Sequence, residues 1–244
     1  MNLLKKLRES PRALAGLGIL AGAVLVPAAL FAWGPSRPTF TTANPAPYNT
    51  FNSITDNPAY GDERNFLRVK PADAPTSAYS DSTKLEAGKK YDAYIYYHND
   101  AAENLKLVAE NTVMKVQLPA VVNGSAQSVA YINSSNSKPT SVWDETTLKS
   151  DNAVAIRMVP GSAHIYNQGA TNGAKLADSI ITTGVKLGYN ALDGKVPGCN
   201  KYAGYVKFQF VADQPNFEVS KSVRKQGTSS WLETTAVKPG ETVD

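Results

Sequence analysis

The sequence is poor in the side chains that most often carry acid–base and metal chemistry. It has one cysteine, Cys199, and two histidines, His98 and His164. A single thiol excludes an intramolecular disulfide, and in the turn-like Val196-Pro197-Gly198-Cys199-Asn200 it reads as a packed, inert group. Neither histidine has a second His or Cys at metal-binding spacing, so no zinc site is expected. Glycine-rich phosphate loops and the Gly-x-Ser-x-Gly nucleophile turn are missing too. The chain therefore reads as a non-enzyme without a cofactor. A Ser/His/Asp set meets only in space, so an extracellular hydrolase with a spatially assembled site stays open as an alternative.

Net positive charge is absent beyond the N-terminal region. The formal net charge is +4 and the pI is about 9.0. Residues 1–38 hold Lys5, Lys6, Arg8, Arg12 and Arg37 against Glu9 alone, which accounts for the whole excess. The remainder is neutral, which leaves no basic patch for phosphates and predicts no nucleic-acid partner.

What the N-terminus does have is a basic flank, residues 1–12, followed by an uncharged run from Ala13 to Trp33. At about 1.5 Å per residue, a helix over this run covers roughly 30 Å, the thickness of a bilayer core. A cleaved signal has a shorter apolar stretch and small residues at its cut site. Residues 13–33 are thus expected to be a transmembrane anchor or a signal segment. The basic flank stays in the cytoplasm, and everything after Trp33 faces out. This predicts a single-pass protein of the cell membrane, or a secreted one after signal cleavage.

Pro35, Pro38, Pro45, Pro47 and Pro58 stand among Thr, Asn and Ser in residues 34–60, the composition of an extended stalk. Beyond it the hydrophobic period is two. Tyr91, Ala93, Ile95 and Tyr97 alternate with polar neighbours, as do Met114, Val116 and Leu118, and Val206, Phe208 and Phe210. Ser128–Asn133, Ala153–Val159, Ala163–Tyr166 and Ile180–Thr183 are shorter strand candidates. Asn123-Gly124, Pro160-Gly161, Asn172-Gly173, Asp193-Gly194 and Pro197-Gly198 mark turns. Polar loops are expected at Pro71–Thr83, Asn133–Ser150 and Asn167–Ala177, with single helical turns at Asp144–Lys149 and Glu103–Val108. The pattern is that of an all-β protein, an antiparallel β-sandwich with long loops over residues 61–213.

Two groups of side chains carry candidate sites. Asp56, Asn57, Asp62 and Glu63 surround a glycine turn and offer the oxygen ligands that calcium needs; the plainer alternative is an acidic turn in which Arg64 pairs locally. Tyr94 and Tyr96 share a strand face. Exposed, they would bind glycan or a protein partner; covered by long loops, they would be core. Trp143 is a further partner-binding candidate, read as the indole that anchors the Asp144-Glu145 loop.

The chain also repeats itself. Phe66-Leu67-Arg68-Val69-Lys70 with Glu86-Ala87-Gly88-Lys89 is echoed by Phe217-Glu218-Val219-Ser220-Lys221 with Lys238-Pro239-Gly240-Glu241. A period of about one domain signals tandem modules, with residues 217–244 beginning a second, incomplete repeat.

The passage from Gly88 through Tyr97-His98-Asn99-Asp100-Ala101 to Asn111-Thr112-Val113-Met114-Lys115-Val116-Gln117-Leu118-Pro119 resembles the conserved Ig-like repeat domain of prokaryotic surface proteins. The match covers the first half of the domain and the start of the second copy. Ala87 departs from that family's proline, which Pro239 restores. The arrangement is also similar to large multi-repeat surface proteins of ultrasmall host-attached bacteria. The resemblance implies Ig-like sandwiches in a repetitive extracellular protein with no catalytic residues. The expected function is structural or adhesive, with the membrane and other cell-surface proteins or glycans as partners. The alternative is a glycan- or solute-binding ectodomain.

Overall fold

Alternate side chains are buried over residues 91–95, 128–132, 142–150 and 204–210, as the period-two pattern requires. The computed structural model describes residues 33–214, 222–232, 234 and 236–244. Its strands, in chain order, are β1 (Trp33–Gly34), β2 (Leu67–Pro71), β3 (Ser82–Lys84), β4 (Lys89–Tyr97), β5 (Val108–Ala109), β6 (Val113–Gln117), β7 (Val121–Asn133), β8 (Ser141–Met158), β9 (His164–Tyr166), β10 (Val185–Lys186), β11 (Val196–Pro197) and β12 (Gly204–Asp213). Helical structure among the described residues is confined to short 3-10 turns.

A main sheet runs in the order β10-β6-β7-β8-β12-β4-β2, with antiparallel neighbours throughout. β1 and β9 add antiparallel pairs to β8 and β12, while β3 lies parallel to β8. β5 and β11 form a separate pair. The 18-residue β8 joins the two halves: Ser141–Ala155 pairs with β7, and Ala155–Met158 pairs with β12. Met114, Ile132 and Leu148 from one half and Tyr91, Ile95, Phe208 and Phe210 from the other belong to one buried cluster. The result is a mostly antiparallel all-β protein of sandwich character, as the alternating pattern implied.

Residues 34–60 do not form a stalk. Phe40 bridges Ile54, Ala46 bridges Ala101 and Phe51 bridges Asn99. Ala46, Phe51 and Ile54 are buried, as are Asn49, Thr50, Asn52 and Ser53. The prolines mark bends in a segment held by tertiary bonds, because its scattered apolar side chains find room in the core. Trp33, placed by the sequence at the end of the apolar run, pairs with Asp144 in the sheet. No helix among the described residues is long and apolar enough to cross a membrane. Residues 13–32 of the expected span lie outside them.

Three local expectations also change. Asn133–Ser150 is mostly strand rather than loop, since β8 begins at Ser141 and takes in Asp144–Lys149. Ile180–Thr183 falls in a 3-10 turn, Asp178–Ile181, that buries Ile180. Asn123-Gly124 lies inside β7 at a register shift, where Gly124 takes φ +75°. Asn123 alone faces the three residues 151–153 of β8 there, and glycine tolerates the left-handed conformation at this irregularity as it does in a hairpin.

The described residues beyond Ser222 hydrogen-bond among themselves. Val223 bridges Leu232, Lys225 bridges Val243, and Arg224 pairs with Asp244 at 2.9 Å. Gly88 and Gly240 occupy the same turn in their respective segments. Gly88 has φ +80° behind a bond from Lys89 N to Glu86 O at 3.2 Å, and Gly240 has φ +90° behind one from Glu241 N to Lys238 O at 3.0 Å. A positive φ at the third turn position is the type II geometry that favours glycine, and Pro239 suits the position before it. Phe217, on which the other half of the echo rests, is outside the described residues.

Candidate functional site

The site is built where residues 49–63 cross the end of β4. Asn52, at φ +48°, donates its backbone N–H to His98 O, and its Oδ1 accepts the His98 N–H at 2.8 Å. Thr50 O accepts the Asp100 N–H at 2.9 Å, and Asp100 Oδ2 accepts the Ser53 N–H at 2.5 Å. These bonds lock the segment against His98-Asn99-Asp100. Asn57 then closes a turn, its Oδ1 accepting the N–H groups of Ala59 and Tyr60. Glu63 returns to the core through its N–H to Ile54 O at 2.9 Å.

Three ionisable side chains converge there. Glu63 is 0 % exposed, His98 2 % and Asp100 1 %. His98 Nδ1 lies 3.1 Å from both Glu63 Oε1 and Oε2, and 3.0 Å from Asp100 Oδ1. Glu63 Oε1 also accepts from Asn57 Nδ2 at 2.5 Å and from the Tyr96 hydroxyl at 3.3 Å. Burial, then the Glu63 charge, pushes the Asp100 carboxyl well above its ordinary range. Arg37 is the nearby permanent cation. Its guanidinium donates to Ser53 Oγ and to the carbonyls of Gly34, Pro35 and Asn52, and burial pulls its pKa down to about 10. All three residues of the cluster line a cavity of about 410 Å³, together with Pro45, Cys199 and Asn200.

A groove of about 380 Å³ shares Asn57 and Asn200 with that cavity. Its wall is a run of tyrosine rings. Tyr205 on β12 lies opposite Tyr96 on β4 and Tyr166 on β9. Tyr205 stacks on Tyr94 with ring centroids 4.8 Å apart and on Tyr166 at 5.0 Å, while Tyr60 covers Tyr96 at 4.2 Å. Cross-strand pairing sets this spacing. The rest of the lining is Asn57, Asn167, Gln168, Asn172 and Asn200 with small residues, and none of it is charged. Burial raises the phenol pKa of Tyr60, Tyr94 and Tyr96, so these hydroxyls stay protonated; Tyr60 donates to Asn65 O and Tyr96 to Glu63 Oε1.

The four calcium candidates do not converge. Asp62 turns to Arg64, with an ion pair at 2.6 Å, which is the local pairing the sequence suggested. Asp56 Oδ1 accepts the Thr42 N–H at 2.7 Å. Only Asn57 and Glu63 meet, and they do so beside His98. Tyr94 and Tyr96 both line the groove: Tyr94 is half-buried and Tyr96 is 8 % exposed beneath Tyr60. Trp143 lies in β8 rather than a loop, half-buried against Gly34, and is not part of the groove. Sequence reasoning set His98 aside for want of a second His or Cys and missed Asp100. Their i, i+2 spacing past an extended strand was the available signal, because alternate residues share a side. Glu63 joins them only through the tertiary crossing. The hydrolase alternative asked for a convergent Ser/His/Asp set or a carboxylate pair; Glu63 and Asp100 supply such a pair, with His98 Nδ1 between them.

No family model, curated protein or solved structure matches the chain.

Proposed function

We propose that this chain is a non-enzymatic, exported surface protein whose Ig-like sandwich holds a neutral oligosaccharide in the tyrosine groove. The carrying observation is the lining: five tyrosines and five side-chain amides with no formal charge. Amides donate and accept at once, which suits the hydroxyls of a sugar, and aromatic rings suit its C–H faces. No lining residue is charged, and the Arg68 guanidinium 4.6 Å from the Tyr60 ring and the Lys207 ammonium 5.4 Å from the Tyr205 ring disfavour a cationic peptide. The basic flank and uncharged run of residues 1–33 support export, and the shared turn at Gly88 and Gly240 supports tandem modules. Together these features fit adhesion by glycan contact.

A glycan array probed with the full chain tests the reading. Binding to neutral hexose or N-acetylhexosamine oligomers is expected, and a blank array overturns it. Protease shaving of intact cells should release the 33–214 region. If only lysed cells yield it, the surface placement is wrong.

A further inference from the structure

The buried cluster of Glu63, His98 and Asp100 lies outside the neutral wall of the groove and has a chemistry of its own. Two carboxylates and one imidazole meet with essentially no exposure to water. An isolated buried carboxylate is costly, and two facing each other are costlier still. A protonated imidazole would balance one of them. Arg37 offsets part of this charge from a distance, but its hydrogen bonds go to Ser53 Oγ and three backbone carbonyls rather than to either carboxylate.

The geometry adds a second observation. Asp100 Oδ2 accepts the Ser53 N–H, but Asp100 Oδ1 is buried and, among the described residues, has no hydrogen-bond partner. It nevertheless sits 3.0 Å from His98 Nδ1. The ligand atoms of all three residues lie within 4.8 Å of one another. Adjacent ligands about 2.0–2.2 Å from a common ion stand roughly 3.0–3.6 Å apart, the range into which the 3.0 and 3.1 Å separations from His98 Nδ1 to the carboxylate oxygens fall. The spacing therefore fits atoms facing a shared centre as well as a hydrogen-bonded pair, and a shared centre would give the unpartnered oxygen a partner.

We infer that Glu63, His98 and Asp100 form a binding site for one divalent cation of borderline hardness, Zn2+ or Mn2+. One imidazole nitrogen disfavours Ca2+ and Mg2+, which take oxygen ligands, whereas nitrogen with carboxylate oxygen suits Zn2+ and Mn2+. His98 Nδ1, Asp100 Oδ1 and a Glu63 oxygen are the ligands. Asn57 Nδ2 and the Tyr96 hydroxyl donate to Glu63 Oε1, as outer partners do to metal-binding carboxylates, while His98 Nε2 is buried with no hydrogen-bond partner among the described residues. The cation neutralises the cluster and ties residues 49–63 to the end of β4. This inference does not rest on the glycan reading.

The test is metal uptake by the purified full chain, stripped with chelator and then titrated separately with ZnCl2 and MnCl2. One equivalent of at least one metal should bind per chain by calorimetry and by elemental analysis after dialysis, with a rise in Tm. D100N keeps the acceptor for the Ser53 N–H and removes a ligand charge; H98Q removes the nitrogen. Each should weaken binding by more than the roughly 10–100-fold that loss of an outer partner costs. H164Q should bind like the parent. Folding of each variant is checked by circular dichroism, and D100N alone decides the matter if H98Q does not fold. No stoichiometric uptake of either metal, or equal uptake by D100N, overturns the site and leaves a shared proton as the charge balance.

Discussion

Asp144 on β8 accepts the backbone N–H of Leu67 on β2 through Oδ2 at 2.7 Å, across 77 residues of sequence. Its Oδ1 accepts the Glu145 N–H at 2.9 Å. One carboxyl group thus joins a strand of one half of the sheet to the strand that links both halves. It does so while almost wholly buried, and burial outweighs the amide donors, raising its pKa to about 8.

That raised value sets a pH dependence of unusual sign for an aspartate. Below about pH 4 the group is protonated in both states. Between about pH 4 and the folded value of about 8, the unfolded chain releases the proton and the folded chain keeps it, so unfolding is favoured as pH rises. Asp144 should therefore reduce stability across this window by on the order of a few kcal/mol. Urea denaturation of the parent and of Asp144→Asn at pH 4.5 and pH 8 checks this. The variant should show a clearly smaller loss, and equal losses would refute the assignment.

Phe51 tests the role of residues 34–60. It is 1 % exposed within the main hydrophobic cluster. Phe51→Ala should cost roughly 3–5 kcal/mol, the usual range for an emptied phenylalanine site. A loose stalk would register no change in the denaturation midpoint.

The groove makes a prediction about Tyr205, which stacks on both Tyr94 and Tyr166. With a neutral oligosaccharide identified on the array, Tyr205→Ala should weaken binding by roughly 2- to 12-fold, the equivalent of about 0.5–1.5 kcal/mol per aromatic pair. Tyr205→Phe keeps the ring and should lose less. If Phe and Ala lose equally, the hydroxyl rather than the ring face makes the contact.

The C-terminal segment can be removed to test its independence. The hydrogen bonds described for residues 222–244 stay within that segment. A chain ending at Gln214 should keep its Tm within about 2 °C, since a loss of about 1 kcal/mol already shifts a domain of this size by that much. A larger drop would make the segment part of the first sandwich.

The strand pattern was legible wherever one face met the core. Tyr91–Tyr97, Met114–Leu118 and Val206–Phe210 were readable because burial on one side leaves a period-two record. β8 was not readable over Ser141–Ser150, where Asp144, Thr146 and Ser150 take buried positions normally held by apolar residues. Their hydrogen bonds to distant backbone groups make that possible, and such partners leave no local trace.

The candidate site divides the same way. Tyr94 and Tyr96 could be placed on one face from their spacing alone, and the echo of Gly88 in Gly240 marked a shared turn because positive φ restricts the residue type. The sequence by itself thus determined the all-β class, the turns that need glycine and the zero net charge of residues 39–244. These depend on local periodicity and composition. Only the tertiary structure decided that residues 34–60 pack into the domain, that Glu63 meets His98 and Asp100, and that five tyrosines from four separate segments line one groove. Those outcomes depend on which distant backbone groups satisfy one another when the sheet folds over its core.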